Sequence, residues 1–294
     1  MSLLRKAILA CILGSMALLP NAAFAVTKTP LKPDPQTQNQ TQEKRKTLLV
    51  DATSAIQETQ SALKLLDDGK TKEALAALER ATGKLDIILA RDPSLTLAPA
   101  GVNVITVDLQ GGIDTVKGLR RQIQDLMAAG RLQEARRLMG GMASETVVSV
   151  SNIPLATYPA AIKEAARLID KNQISEAKTA LQNALNTQEV TETIIPLPVV
   201  DAQASLKEAE SLAAKKTRTA ADNTRLKASL DVARSDLERA QALGYGKKSD
   251  FDTFYQQLKE IEQKTADNKS GTGFFAKIDE SIANFMKSNQ PHKP

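Results

Sequence analysis

Leu65–Ala74 reads LLDDGKTKEA, Leu126–Arg136 reads LMAAGRLQEAR and Leu168–Lys178 reads LIDKNQISEAK. Each stretch carries an apolar pair, then Gly69, Gly130 or Asn172, and then a Glu-Ala step at Glu73-Ala74, Glu134-Ala135 or Glu176-Ala177. Glycine enters the left-handed region without a Cβ penalty, and a residue in that region closes a helix. Each stretch therefore predicts one helix ending and an antiparallel partner beginning.

The flanks agree. Leu49, Ala52, Ile56, Leu63 and Leu66 before the first turn, and Leu75, Leu78, Leu85 and Ile88 after it, fall at helical spacing. Copies two and three superpose without a gap at an offset of 42: Leu126–Leu155 lies on Leu168–Leu197, bringing Val148 onto Val190 and Ile153-Pro154-Leu155 onto Ile195-Pro196-Leu197. A repeat that keeps its non-helical tail is a duplicated unit of helix, turn, helix and extended segment. It differs from tetratricopeptide repeats in period and in that tail.

Val102–Asp108 (VNVITVD), Thr146–Val150 (TVVSV) and Val190–Ile195 (VTETII) are β-branched runs closed by Pro or Gly-Gly, as short strands are. They predict at most a small sheet, and buried crossing loops are the alternative. Pro154, Pro159, Pro196 and Pro198 are expected to hold the chain extended. Beyond Ala204 the pattern is helical. Leu226, Leu230, Ala233, Leu237 and Ala240 form one stripe ending at Leu243-Gly244-Tyr245-Gly246, and Asp250–Gln263 forms a further helix. The fold class expected is mainly α: repeated antiparallel helical hairpins, a few short extended or β segments, and a C-terminal helical extension.

Arg5 and Lys6, the apolar run from Ala7 to Leu19, and Ala23-Phe24-Ala25 read as a secretory signal peptide at 1–25, cut between Ala25 and Val26. The apolar run is too short to span a bilayer. Cys11 lies inside it, so a mature chain starting at Val26 has no cysteine and forms no disulfide. Without Arg5 and Lys6, 37 basic residues face 34 acidic ones, a formal charge of +3. Aromatics make up 3% of the chain, which leaves little stacking surface and argues against nucleic acid as a partner.

The expected organisation is a disordered leader at 26–42, rich in Pro, Thr and Gln, and a hairpin-repeat domain at 43–203. A helical extension at 204–266 and a flexible linker at 267–273 follow. An amphipathic helix at 274–288 and a disordered tail at 289–294 end the chain. The apolar face of that last helix, Phe274, Phe275, Ile278, Ile282, Phe285 and Met286, is a candidate interaction face. Its opposite face carries Lys277, Asp279, Glu280 and Lys287, which sum to zero, and this disfavours an anionic membrane surface. Packing on its own domain and docking on a neighbouring subunit or client remain, and the linker favours docking.

Catalytic chemistry finds few candidates. His292 is the sole histidine and sits in the tail, so no His-based triad, general base or zinc site is expected. Leu109-Gln110-Gly111-Gly112-Ile113 lacks the Gly-Lys-Ser/Thr of a phosphate loop and reads as a turn. Asp67-Asp68 and Asp108 read as solvated charge, and so do the pairs Arg120-Arg121 and Arg136-Arg137. No enzyme, cofactor or metal is expected.

The chain resembles the YfdX family. The likeness rests on the Gly69 and Gly130 hairpins and on Ser144-Glu145-Thr146-Val147-Val148 leading to Ile153-Pro154-Leu155-Ala156-Thr157-Tyr158-Pro159. It rests also on Ala184-Leu185-Asn186-Thr187 leading to Ile195-Pro196-Leu197-Pro198. It covers about Thr47 to Ala204, while Leu243-Gly244-Tyr245-Gly246 and the helices after it are similar to the C-terminal extension of long family members. The resemblance implies a secreted, mostly periplasmic, homo-oligomeric protein linked to heat and acid stress. It also implies chaperone-like activity, an association of long members with bacterial heat-resistance gene clusters, and no defined catalytic residue. The expected partners are non-native proteins or a periplasmic partner protein, without stable membrane insertion of the mature chain. ATP-independent holding of non-native proteins is one reading, and a structural or adaptor protein of the envelope with one dedicated partner is the other.

Overall fold

The computed structural model describes residues 35–288. The expected signal peptide, residues 26–34 of the expected leader, and the tail with His292 lie outside the described residues.

Ten α-helices and three strands are present among the described residues: α1 (Pro35–Asp67), α2 (Thr71–Arg91), β1 (Leu97–Asp108), α3 (Ile113–Ala128), α4 (Leu132–Gly140), β2 (Ser144–Pro154), α5 (Tyr158–Asp170), α6 (Ile174–Asn186), β3 (Glu189–Pro196), α7 (Leu197–Ala213), α8 (Ala220–Leu243), α9 (Lys248–Thr265) and α10 (Ala276–Ser288). The chain is thus mainly α with a small sheet. Because α1 begins at Pro35, residues 35–42 are helical where a leader was expected.

The three hairpin turns are one structure built three times. Gly69, Gly130 and Asn172 have φ of 73°, 72° and 59°. Around each, the next residue's N–H reaches back five residues: Lys70 to Leu65 O at 2.8 Å, Arg131 to Leu126 O at 2.9 Å, and Gln173 to Leu168 O at 2.8 Å. The left-handed residue itself donates to Leu66, Met127 or Ile169 O at 3.2, 3.0 and 2.9 Å. This paired closure satisfies carbonyls that a helix end otherwise leaves open.

The extended segments are strands, in the order β1-β2-β3. Leu109 N–H donates to Ala143 O at 2.9 Å, and the Thr106 and Thr146 hydroxyls meet at 2.9 Å. As one number rises the other falls, so β1 and β2 are antiparallel. The same holds for β2 and β3, where Asn152 Nδ2 donates to Glu189 O at 3.1 Å and Thr191 Oγ1 to Val150 O at 3.5 Å. The copied Ile-Pro-Leu ends coincide, since Pro154 closes β2 and Pro196 closes β3. Pro159 and Pro198, expected to keep the chain extended, instead occupy the first turns of α5 and α7, where a missing N–H costs nothing and φ is already helical.

Two compact units share the chain, with boundaries after Asn103, Val148 and Thr191, so the division is not the linear one at 203 and 204. One, the bundle unit, holds α1, α2, α5 and α6. Its core includes Leu66, Leu78, Leu85, Ile153, Tyr158, Ile162 and Leu181, with alanines such as Ala74, Ala77 and Ala165 allowing close helix approach. The other, the extension unit, holds α3, α4 and α7 to α10. Its main core joins Leu206, Leu230 and Leu237 to Phe251, Phe254, Leu258 and Ile261. There α8 starts with a reciprocal cap between Thr219 and Asp222 and ends at Gly244, φ 92°.

Candidate interaction surface

The groups from which chemistry could be assembled are dispersed. No cluster of three or more metal-ligating side chains occurs among the described residues. Asp67 pairs with Lys178 in the bundle unit, Asp68 is exposed, and Asp108 belongs to the extension unit. Arg121, Arg136 and Arg137 are exposed, and Arg120 donates to Ala242 O at 3.3 Å. Gly111 and Gly112 form the turn into α3, with Gly111 at φ 114°. No described helix is long and apolar enough to cross a membrane.

Two polar nodes in the extension unit were not foreseen. At the first, Arg239 of α8 donates to the Leu109 carbonyl and reaches Asp108 Oδ1 and Ser144 Oγ at 3.3 Å each, while Ser144 Oγ donates to Asp108. The Ser144 N–H donates to the Tyr245 hydroxyl at 2.9 Å. Burial pushes the Tyr245 phenol well above its ordinary pKa, so it stays protonated. This node ties the far end of α8 to the turn after β1 and to the start of β2. At the second, Arg218, 7% exposed, donates to Thr265 O at 2.7 Å, Lys269 O at 2.8 Å and Asn223 Oδ1 at 2.7 Å. A planar guanidinium can serve several acceptors at once. It covers the carbonyl end of α9, and with the bond from Gly271 N–H to Ala213 O at 3.1 Å it pins the segment expected to be a flexible linker.

The expected interaction face is internal. Phe275, Ile278, Ile282 and Phe285 are buried in the core of the extension unit, with Phe274 and Met286 packed against it. Phe285 meets Phe251 and Phe254 edge-on, with centroids 5.7 and 5.6 Å apart. The sidedness of the helix was legible, but sidedness alone does not say which surface covers it. Here α7 and α9 do.

Exposed apolar surface lies instead on β1. Val102, Val104, Ile105 and Val107 are 40, 39, 52 and 40% exposed, and β1 is an edge strand with no described neighbour on its outer side. Since Leu109 bonds inward to Ala143, ladder alternation turns the backbone groups of Val102, Val104 and Thr106 outward. The outer edge is closed at both ends: Thr53 Oγ1 donates to Ala100 O at 2.6 Å, and Gln110 Nε2 donates to Asp108 O at 3.2 Å. Between them lies an uncharged run, VNVITV, without proline. Natural edges are usually blunted by charge, proline or a bulge. The opposite edge strand, β3, follows that rule with Glu189 and Glu192.

In comparison with known proteins, the YfdX family model, described as YfdX protein, matches residues 55–193. Among solved structures, a crystal structure of Salmonella Typhi YfdX is 15% identical, covering 50% of this chain and 91% of that one at a TM-score of 0.35. No curated protein matches.

Proposed function

The chain belongs to the YfdX family through residues 55–193, and from that premise we propose that it is a periplasmic heat- and acid-stress protein that holds non-native proteins without ATP. It is exported by the segment 1–25, works as a homo-oligomer, and catalyses no reaction. The observation that carries this reading is the outer edge of β1. An extended chain adding to a sheet edge gains main-chain hydrogen bonds that do not depend on its sequence, and exposed Val and Ile side chains favour apolar clients. A polypeptide that has lost its fold supplies both an extended backbone and apolar side chains. A folded protein has most of its extended backbone already paired and its edges usually blunted.

The test is suppression of thermal and acid-induced aggregation by the chain starting at Val26, using several unrelated clients. Protection of several supports the proposal. Protection of none, with tight binding to one native envelope protein, would support the dedicated adaptor instead.

A further inference from the structure

Contacts at both ends and in the middle fix the register of β1 on β2. Leu109 N–H donates to Ala143 O at 2.9 Å, the Thr106 and Thr146 hydroxyls meet at 2.9 Å, and a Cβ on Gly101 would stand 3.7 Å from Ser151 Cβ. The numbers change in step from one pair to the next, so no bulge interrupts the ladder between them. Val102, Val104 and Thr106 therefore lie opposite Val150, Val148 and Thr146 on one face of the sheet, and Asn103, Ile105 and Val107 lie opposite Ser149, Val147 and Glu145 on the other.

Along β1 the cover stops abruptly. From Leu97 to Gly101 the strand alternates between half-buried and buried residues, whereas every residue from Val102 to Val107 is exposed. Both faces of that stretch are open, and both are apolar in part: Val102 and Val104 stand on one, Ile105 and Val107 on the other. On β2 behind them, Val148 and Val150 are buried and Val147 is half-buried. A chain added outside β1 extends these rows by one residue, Val148–Val104 on one face and Val147–Ile105 on the other. No charged side chain lies on β1 between Val102 and Val107, so a charged client residue there would lose water without gaining a counter-ion from that strand. The order along β1 is apolar, polar, apolar, apolar, polar, apolar. It reads the same in both directions, so parallel and antiparallel chains meet one pattern.

Resting on the edge reading above, we infer that the preferred occupant is an uncharged segment with apolar side chains on both of its faces, in that same order. Strands of this kind lie at the centre of parallel sheets, covered on both sides, and they reach solvent only when the fold around them is lost. A strictly alternating strand has one apolar face and matches only half of the window. The window itself is bounded by the Thr53 hydroxyl on Ala100 O and the Gln110 amide on Asp108 O, which confines recognition to the stretch facing Val102 to Val107.

The test uses two dye-labelled octapeptides of one composition, TVTVVTVT and the strictly alternating TVTVTVTV. Their dissociation constants for the chain starting at Val26 are read by fluorescence anisotropy, at concentrations where both peptides are monomeric. TVTVVTVT matches two more apolar rows and should bind about tenfold more tightly. In the double variant Ile105→Thr with Val107→Thr, which stays β-branched but makes one face polar, the preference should vanish. Equal binding by the parent, or tighter binding of the alternating peptide, with both lost in Val104→Pro, would overturn the inference and leave the edge reading standing. Binding of neither peptide, or binding that survives Val104→Pro, would remove the edge reading and the inference with it. A preference that persists in the double variant, shown by circular dichroism to be folded, would also overturn the inference, and the parent's own comparison requires no variant to fold.

Discussion

Replacing Phe285 by alanine separates two roles for the last helix. The ring is 5% exposed, lies edge-on to Phe251 and Phe254, and fills the space that a Cβ on Gly246 would need. Truncating a buried phenylalanine costs about 3–5 kcal/mol through lost burial and the cavity left behind. Each edge-on ring contact carries about 0.5–1.5 kcal/mol beyond its area, which places this site toward the upper half of that range. At roughly 2–4 °C per kcal/mol, the melting midpoint should fall by roughly 10 °C. Urea unfolding followed by far-UV circular dichroism gives the free energy, and sedimentation velocity on the same samples gives the assembly state. A loss below about 1 kcal/mol, accompanied by smaller assemblies or weaker client protection, would refute the packing argument and restore the helix as an interaction arm.

At Gly130 a Cβ would meet no atom within 4 Å, so Gly130→Val tests backbone strain alone; urea unfolding should show a loss of about 1 kcal/mol or more, and Asn172→Gly should be neutral or slightly stabilising. Arg218→Met strips the donor from the Thr265 and Lys269 carbonyls and should cost about 2–3 kcal/mol, with Arg218→Lys recovering little because an ammonium cannot span the same acceptors. Burial first, and Glu210 second, raise the Asp279 carboxyl above its ordinary pKa. The folded state therefore takes up this proton more readily than the unfolded one, so this site's contribution improves as pH falls from the raised value toward the ordinary carboxylate range near about 4. Asp279→Asn should raise the melting midpoint at pH 7, and its advantage over the parent should shrink as the pH is lowered through that window.

What could be read from the sequence was local. A left-handed turn residue needs only its immediate neighbours, so Gly69, Gly130 and Asn172 announced three hairpins, and the gapless copy at an offset of 42 announced two strands ending in Ile-Pro-Leu. Pro159 and Pro198 misled because proline fits both an extended chain and the first turn of a helix, and the hydrogen bonds that decide between them lie downstream. The linker at 267–273 looked flexible because Asp, Asn, Ser and Gly dominate it. What pins it is Arg218, about fifty residues away in sequence. The β1 run was visible as VNVITV, but its exposure followed only from the strand order. Met127 and Met139 stand at positions that are core in the other two copies, and pattern alone reads all three hairpins alike.

The central claim is that the outer edge of β1 receives extended chains, and Val104→Pro tests it most directly. The Val104 N–H points away from β2, so proline there removes an outward donor and blocks the edge while leaving the β1–β2 ladder intact. Light scattering of several heated clients is followed with the parent and with Val104→Pro, each shown by circular dichroism to be folded at the assay temperature. The folded variant should lose most of the parent's protection toward every client. Protection equal to the parent's from a folded Val104→Pro protein would contradict a receiving role for this edge.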